Sequence, residues 1–203
     1  MHLNLNLAIL NVALLWLLTT PHEFAHAWVA TRLGDDTPRL QGRLTLNPLA
    51  HVDWLGTTIL PALTSLFGGG FIGWGKPVYT NPAKLRWGLN GLALVAMAGP
   101  ASNVVFAVIL ALVARAAAAA APALSQFAAR GVYLSLYLAI FNMLPVPPLD
   151  GGHILRNFLP YRAAQIYDRL GMISLFLIFF FGGGIIRGIT YPAIRFFFGL
   201  LGY

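Results

Sequence analysis

WLGTTILPALTSLFGGGFIGWG, residues 54–75, is apolar enough to enter a membrane, yet it carries Pro61 and three successive glycines at 68–70. A crossing helix needs about 20 mostly apolar residues, and these breakers cut the segment into pieces too short to span. Its fate decides the topology. Four other stretches are equally free of Lys, Arg, Asp and Glu: 1–22, 87–114, 131–149 and 170–186. If 54–75 crosses, there are five spans. If it enters and leaves on one face, there are four, at about 4–31, 88–114, 131–149 and 170–186.

The rest of the chain is that of a membrane protein. Of its 203 residues, 58% are hydrophobic and only 9% charged, against about 25% charged in a soluble globular domain. The loops between apolar stretches are short, which predicts a single membrane-embedded domain over 1–203 with no soluble regulatory module. The opening MHLNLNL lacks the basic region of a cleavable signal, so the first apolar run is expected to be retained as a span. The net charge of +7 is scattered through loops beside the spans, where it suits anionic lipid and membrane orientation rather than nucleic acid. There are no cysteines, which excludes disulfides and thiolate sites and leaves His and carboxylate as the strong metal ligands.

The six carboxylates are Glu23, Asp35, Asp36, Asp53, Asp150 and Asp168. Four fall in or beside loops. Glu23 and Asp150 instead sit at the ends of apolar segments, where an ionisable group is costly enough to signal function. Glu23 belongs to TTPHEFAHAW, residues 19–28. On a helix, positions i and i+4 share a face, so the His22 and His26 imidazoles can reach one tetrahedral zinc. Glu23, one step round, can then act as general base on a water in the open position. Pro21 removes a backbone donor and is expected to bend the helix, with Thr19 or Thr20 satisfying the freed carbonyl.

Asp150 belongs to NMLPVPPLDGGH, residues 142–153. Pro145, Pro147, Pro148, Gly151 and Gly152 forbid a regular helix, and broken backbone at membrane depth is tolerated only where it lines a cavity or is buried in protein. An ordinary Pro-Gly loop would explain the prolines but not the Asn and Asp around them; Asp150 is expected to supply a third zinc ligand. HEFAH and NMLPVPPLDGG together resemble the two signature motifs of the site-2 protease family of intramembrane zinc metalloproteases. The intervening GRLTLNPLAHVD, GWGKPVYTNP and AGPASN are similar to connecting segments of a small bacterial branch without a PDZ or other soluble domain. The resemblance runs from about residue 19 to 153. It implies one Zn2+ held by His22, His26 and Asp150, Glu23 as catalytic base, and Asn142 as a catalytic residue holding the substrate or its oxyanion. The implied substrates are membrane proteins, cut within or next to a transmembrane segment, in regulated proteolysis or signal-peptide clearance.

Three ligands of one metal must lie at one depth. His22 comes near the far end of the first span, and Asp150 about 20 residues after Arg130, so both helices must run in the same direction. That requires an even number of complete crossings before residue 130, and 54–75 is the segment expected not to cross. Charge gives an independent test. With re-entry, Arg32, Arg39, Arg43, Lys76, Lys84, Arg86, Arg156, Arg162 and Arg169 share one face, leaving Arg115, Arg130, Arg187 and Arg195 opposite: nine of the 13 cations against four. A spanning segment would divide them almost evenly. The positive-inside rule then predicts a multi-pass protein of the bacterial inner (plasma) membrane, with the N-terminus outside and the metal near the cytoplasmic face.

The expected fold is an all-α polytopic membrane protein: about four transmembrane helices, a re-entrant Gly-rich segment that could include a short β-hairpin, and an interfacial helix over 188–203. Residues 68–80, GGGFIGWGKPVYT, either offer an extended edge to an unwound substrate or simply close the re-entrant turn. Gly91, Ala93, Ala96, Ala98, Gly99, Ala101 and Ala107 suit close helix packing. Asn103 is either a bond between helices or an orienting group for the site. For His51 and His153, capping or interfacial hydrogen bonding outweighs support of the site. A metal-ion transporter and an inactive metal-binding scaffold are the alternatives. Glu23 argues against both, since neither gains from a carboxylate beside the ligands that is not itself a ligand.

Overall fold

The computed structural model describes residues 5–67, 73–181 and 183–200. The chain is helical, with no strand among the described residues. Helix α1 (Leu5–Arg32) has 28 residues, which at about 1.5 Å per residue is enough to cross a bilayer and protrude. A single turn, α2 (Thr37–Leu40), follows. It is set by the fully buried Asp35, whose carboxylate accepts from Thr37 N at 3.0 Å and Asn81 N at 2.6 Å, tying this loop to the one before the next long helix. Two Asn-Pro pairs repeat one device: Asn47 and Asn81 each cap a short 3-10 turn, over Pro48–Ala50 and Pro82–Lys84, with proline in the first position where no donor is needed.

Between these turns lies α3, Trp54–Leu66, which opens with π-helical turns over Trp54–Ile59 and closes as an α-helix over Leu60–Leu66. The Asp53 side chain caps it at Gly56 N, 2.7 Å away. At roughly 20 Å, α3 is well short of a bilayer's hydrocarbon thickness. After residues 68–72, which fall outside the described set, Trp74 N donates to Gly56 O at 3.0 Å and Thr57 Oγ1 to Trp74 O at 2.9 Å. The outgoing chain thus lies beside the first turn of α3. Residues 73–80 form neither helix nor strand, so the described part of 68–80 is not a β-hairpin.

Helices α4 (Leu89–Ala117) and α5 (Pro122–Asn142) complete the three that are long and apolar enough to cross a membrane, among the described residues. Their shared core is asymmetric in size. Leu14, Leu15 and Leu18 of α1 press on Ala107, Ala111 and Ala114 of α4 and on Ala128 and Val132 of α5. Small residues on one side let large ones interdigitate, the source of cohesion where lipid gives no hydrophobic drive between helices. Polar groups inside this bundle are paired: Asn11 bonds Ser65 Oγ at 2.8 Å, and Arg130 Nε bonds Asn11 Oδ1 at 3.0 Å.

Several sequence expectations shift here. The span expected at 131–149 runs from Pro122 to Asn142. Proline at its first turn starts it early, and Arg130 is carried inside the helix because Asn11 meets it. Asp150 therefore does not end that helix but opens a separate short one, α6 (Asp150–Arg156). The region expected to span at 170–186 is divided between α7 (Tyr161–Phe181), bent at Gly171, and α8 (Gly183–Leu200), with residue 182 outside the described set. Nor is the C-terminal helix only interfacial: Ile194 is buried in the core beside α5. α1 continues through Pro21, whose missing N–H would have met Leu17 O. Thr19 and Thr20 do not replace it; their hydroxyls bond Leu15 O and Trp16 O instead, at 2.8 and 2.7 Å.

Candidate metal centre

His22 and His26 lie one turn apart on α1, with rings 4.7 Å between centroids and nearly perpendicular at 82°. Their Nε2 atoms are 3.1 Å apart. Asp150 arrives from the start of α6, with Oδ2 3.2 Å from His22 Nε2 and Oδ1 3.4 Å from His26 Nε2. What brings it there is the Pro-Gly turn that the sequence advertised. A side chain on Gly151 would strike Met143 O at 2.2 Å, and one on Gly152 would strike Val146 O at 2.7 Å. Only bare backbone lets α6 begin flush against the 143–147 turn.

The donor set fits a metal ion on three counts. Three donors at tetrahedral positions about 2.0–2.1 Å from a zinc-sized ion stand roughly 3.3 Å from one another, and the observed separations are 3.1, 3.2 and 3.4 Å. Asp150 Oδ2 is buried without a hydrogen-bond partner, 3.2 Å from His22 Nε2. Space is kept as well: a Cβ built on Gly99 of α4 would lie 2.3 Å from His26 Nε2 and 2.6 Å from His22 Nε2. That is close to where an ion bound to both rings would sit, so the missing side chain of Gly99 leaves a cradle. Burial alone would raise the Asp150 carboxyl, but the facing His26 and His22 imidazoles hold it well below the usual carboxylate range, in the anionic form a cation needs.

The remaining contacts orient the rings. His26 Nδ1 lies 2.7 Å from Val95 O and donates to it, leaving Nε2 free to ligate. His22 Nδ1 lies 3.2 Å from the amide nitrogen of Asn103. Glu23, buried beside the pair, accepts from Val78 N at 3.1 Å through Oε2. Segment 73–80 therefore passes directly over the carboxylate, and it is pinned from behind: Lys76 N donates to His51 O at 2.9 Å, and the buried Arg43 guanidinium bonds Lys76 O and Ala50 O.

Of the residues named from sequence, His22, Glu23, His26 and Asp150 come together. Asn142 ends α5 and donates to Leu138 O at 2.9 Å, back into its own helix. His51 is fully buried and bonds Thr45 O at 2.8 Å through Nε2, holding the loop beneath Lys76. His153 is exposed on α6. Two contributions went unread. Gly99 looked like a packing residue, although its place just ahead of Pro100 in AGPASN, one turn from Asn103, was the signal available. Val95 contributes only its main-chain oxygen, for which a sequence carries no signal.

Such a bundle, with a buried two-histidine, one-carboxylate group able to hold a metal ion, defines the class: a helical membrane protein built around a candidate metal centre. Residues 112–182 match the model of Peptidase family M50. "Putative zinc metalloprotease YwhC" of Bacillus subtilis is 41% identical over 149 residues, 70% of this chain and 65% of the relative. "Putative zinc metalloprotease Rip2" of Mycolicibacterium smegmatis is 38% identical over 133 residues, 64% of this chain and 49% of that protein. Its namesake in Mycobacterium tuberculosis strain H37Rv is 31% identical over 163 residues, 78% and 61% respectively. The chain thus spans between about half and two thirds of the length of these relatives. No solved structure matches it. The resemblance carried by the two motifs is borne out, and the chain is a relative of the M50 peptidases, the site-2 protease family.

Proposed function

We propose that the protein is an intramembrane zinc metallo-endopeptidase that hydrolyses peptide bonds within or next to the transmembrane segment of a membrane-protein substrate. One observation carries this: two imidazoles and a carboxylate, 128 positions apart in the chain at their widest, meet at metal-ligand separations with Glu23 beside them and a glycine cradle in front. His22, His26 and Asp150 would hold one Zn2+, which when bound polarises the scissile carbonyl and acidifies water.

Glu23 then takes the proton of the attacking water and passes it to the leaving amide nitrogen, so no covalent intermediate with the enzyme is required. The bond from Val78 N to Oε2 fixes the carboxylate plane and leaves Oε1 for the water. Asn142 has two amide protons. The bond to Leu138 O uses one and sets the amide plane; the other serves the substrate carbonyl or its oxyanion.

A transmembrane substrate arrives with its carbonyls bonded inside its own helix. It must unwind, and its freed backbone groups need partners. Segment 73–80, which is neither helix nor strand and lies on Glu23, provides an edge for strand addition. Residues 54–75 enter and leave at one face, a reading supported by the pairing of Trp74 with Gly56. The charge bias then orients the single domain with its N-terminus outside and the metal near the cytoplasmic face of the inner membrane.

The test is Glu23→Gln in the full chain, assayed in membranes. Unchanged zinc content, with cleavage lost by about 100-fold or more, is the expected result. Variant membranes that keep full cleavage, or that move divalent cations as well as wild type does, would overturn the hydrolytic reading in favour of a passive or transporting metal site. The same variant is the bait for substrates, through identification of membrane proteins retained on it.

A further inference from the structure

Asn103 has no part in the hydrolysis above, yet it is fully buried on α4, one turn beyond Gly99, in a protein whose bilayer setting makes a buried amide expensive. Its height is fixed from the neighbouring helix, because Ser135 Oγ of α5 donates to its main-chain oxygen at 2.7 Å. Its side chain reaches His22: Nδ2 lies 3.2 Å from His22 Nδ1. Its other end, Oδ1, is buried with no hydrogen-bond partner. A fully buried amide with one orphaned end, set against the back of a metal-binding imidazole, needs an explanation.

The imidazole supplies one. His22 presents Nε2 to His26 and Asp150. A neutral ring carries a single proton, so if Nε2 gives its lone pair to a cation, the proton must be on Nδ1. Nδ1–H then points at Asn103, where only an oxygen can accept it. A half-turn about Cβ–Cγ exchanges the two nearly isosteric ends of the amide and brings the orphaned Oδ1 onto the ring. His26 shows the same arrangement already made, its Nδ1 donating to Val95 O at 2.7 Å.

We propose that Asn103 is a positioning residue: it accepts the Nδ1 proton of His22 and so holds that ring in the one tautomer and orientation that can ligate. α4 would thus set both imidazoles, His26 through the main chain at Val95 and His22 through the Asn103 side chain, with Gly99 between them leaving room for the ion. The inference rests on the metal centre proposed above. It excludes the simpler role of Asn103 as an amide donor joining two helices, because an acceptor and a donor tolerate different replacements.

The experiment measures metal binding by the full-length chain in detergent, using zinc against a chromophoric chelator and cobalt(II) for its ligand-field spectrum. Asn103→Leu, which removes the acceptor at similar volume, is expected to weaken zinc binding about 10–100-fold and to alter the cobalt bands. Asn103→Asp keeps an acceptor and loses both donors; it is expected to stay within about threefold of wild type. Ser135→Ala, which loosens the same layer without touching His22, is expected to bind zinc normally. Where the leucine variant does not fold, Asn103→Ala carries the same comparison. Wild-type affinity in the Leu or Ala variant, an Asp variant as weak as they are, or an equal loss in Ser135→Ala overturns the proposal. A wild-type chain that takes up no stoichiometric zinc or cobalt overturns the metal centre itself, and this inference with it.

Discussion

Gly99→Ala adds one methyl group, and the structure says where it would go: 2.3 Å from His26 Nε2 and 2.6 Å from His22 Nε2, where ordinary contact begins at 3.4 Å. The rings would have to retreat by roughly 1 Å, while α4 is held at this level by Val95 against His26 and by Ser135 against Asn103. Overpacking of this kind costs about 1–3 kcal/mol. The effect on the metal should be larger, because the methyl occupies the space an ion would need, at nearly the same distance from the nitrogens as a bound zinc, about 2.0–2.1 Å. Zinc affinity is expected to fall at least 100-fold. The assay is zinc stoichiometry of the purified chain, with thermal unfolding recorded with and without added zinc. Wild type should gain about 2.7 kcal/mol when zinc is at 100 times its dissociation constant; at the same zinc concentration the variant should gain no more than about 0.4 kcal/mol. Gly131→Ala is the control. Its methyl would lie 2.8 Å from Leu110 Cδ1, the movable end of a side chain inside the apolar core, so it should lose stability yet keep the zinc-induced gain. A Gly99→Ala chain that holds one zinc with wild-type affinity would refute the placement of the metal between these rings and α4.

Two further outcomes bear on the segment over the site. Val78→Pro removes the N–H that bonds Glu23 Oε2 and puts a proline ring into the proposed edge; cleavage should drop tenfold or more with zinc retained, and unchanged cleavage would remove 73–80 from substrate binding. Burial holds the His51 imidazole below its ordinary value of 6.5, so the unfolded chain takes up its proton first as the medium is acidified. Its contribution to stability is therefore complete above about pH 6.5 and is lost as pH falls from there towards the lowered folded value. The melting temperature should be lower at pH 5.5 than at pH 7.5, with a smaller drop in His51→Gln, and a wild-type melting temperature that rises on acidification contradicts this.

Much of the site was legible because its signals are local. HEFAH puts two imidazoles on one helical face whatever the helix packs against, and the prolines and glycines of 145–152 end a helix wherever they occur. Breakers at Pro61 likewise mark α3 as too short to cross. Helix limits were read less well where a distant partner changes the cost of a charge. Arg130 looked like a terminus, but Asn11, 119 positions away, bonds it inside α5. The C-terminal helix looked interfacial by its arginines, and nothing local revealed that Ile194 would be buried beside α5.

By itself, then, the sequence determined a membrane protein, a helical chain and a candidate ligand set of His22, His26 and Asp150, because composition, residue chemistry and i,i+4 spacing travel with the chain. Tertiary structure decided how those ligands are aimed. The main-chain oxygen of Val95 reaches His26 across 69 positions, and the Asn103 amide reaches His22 across 81. Gly99 matters only because α4 packs face to face with α1. A cradle is a gap between helices, and its shape exists only once both of its walls are in place.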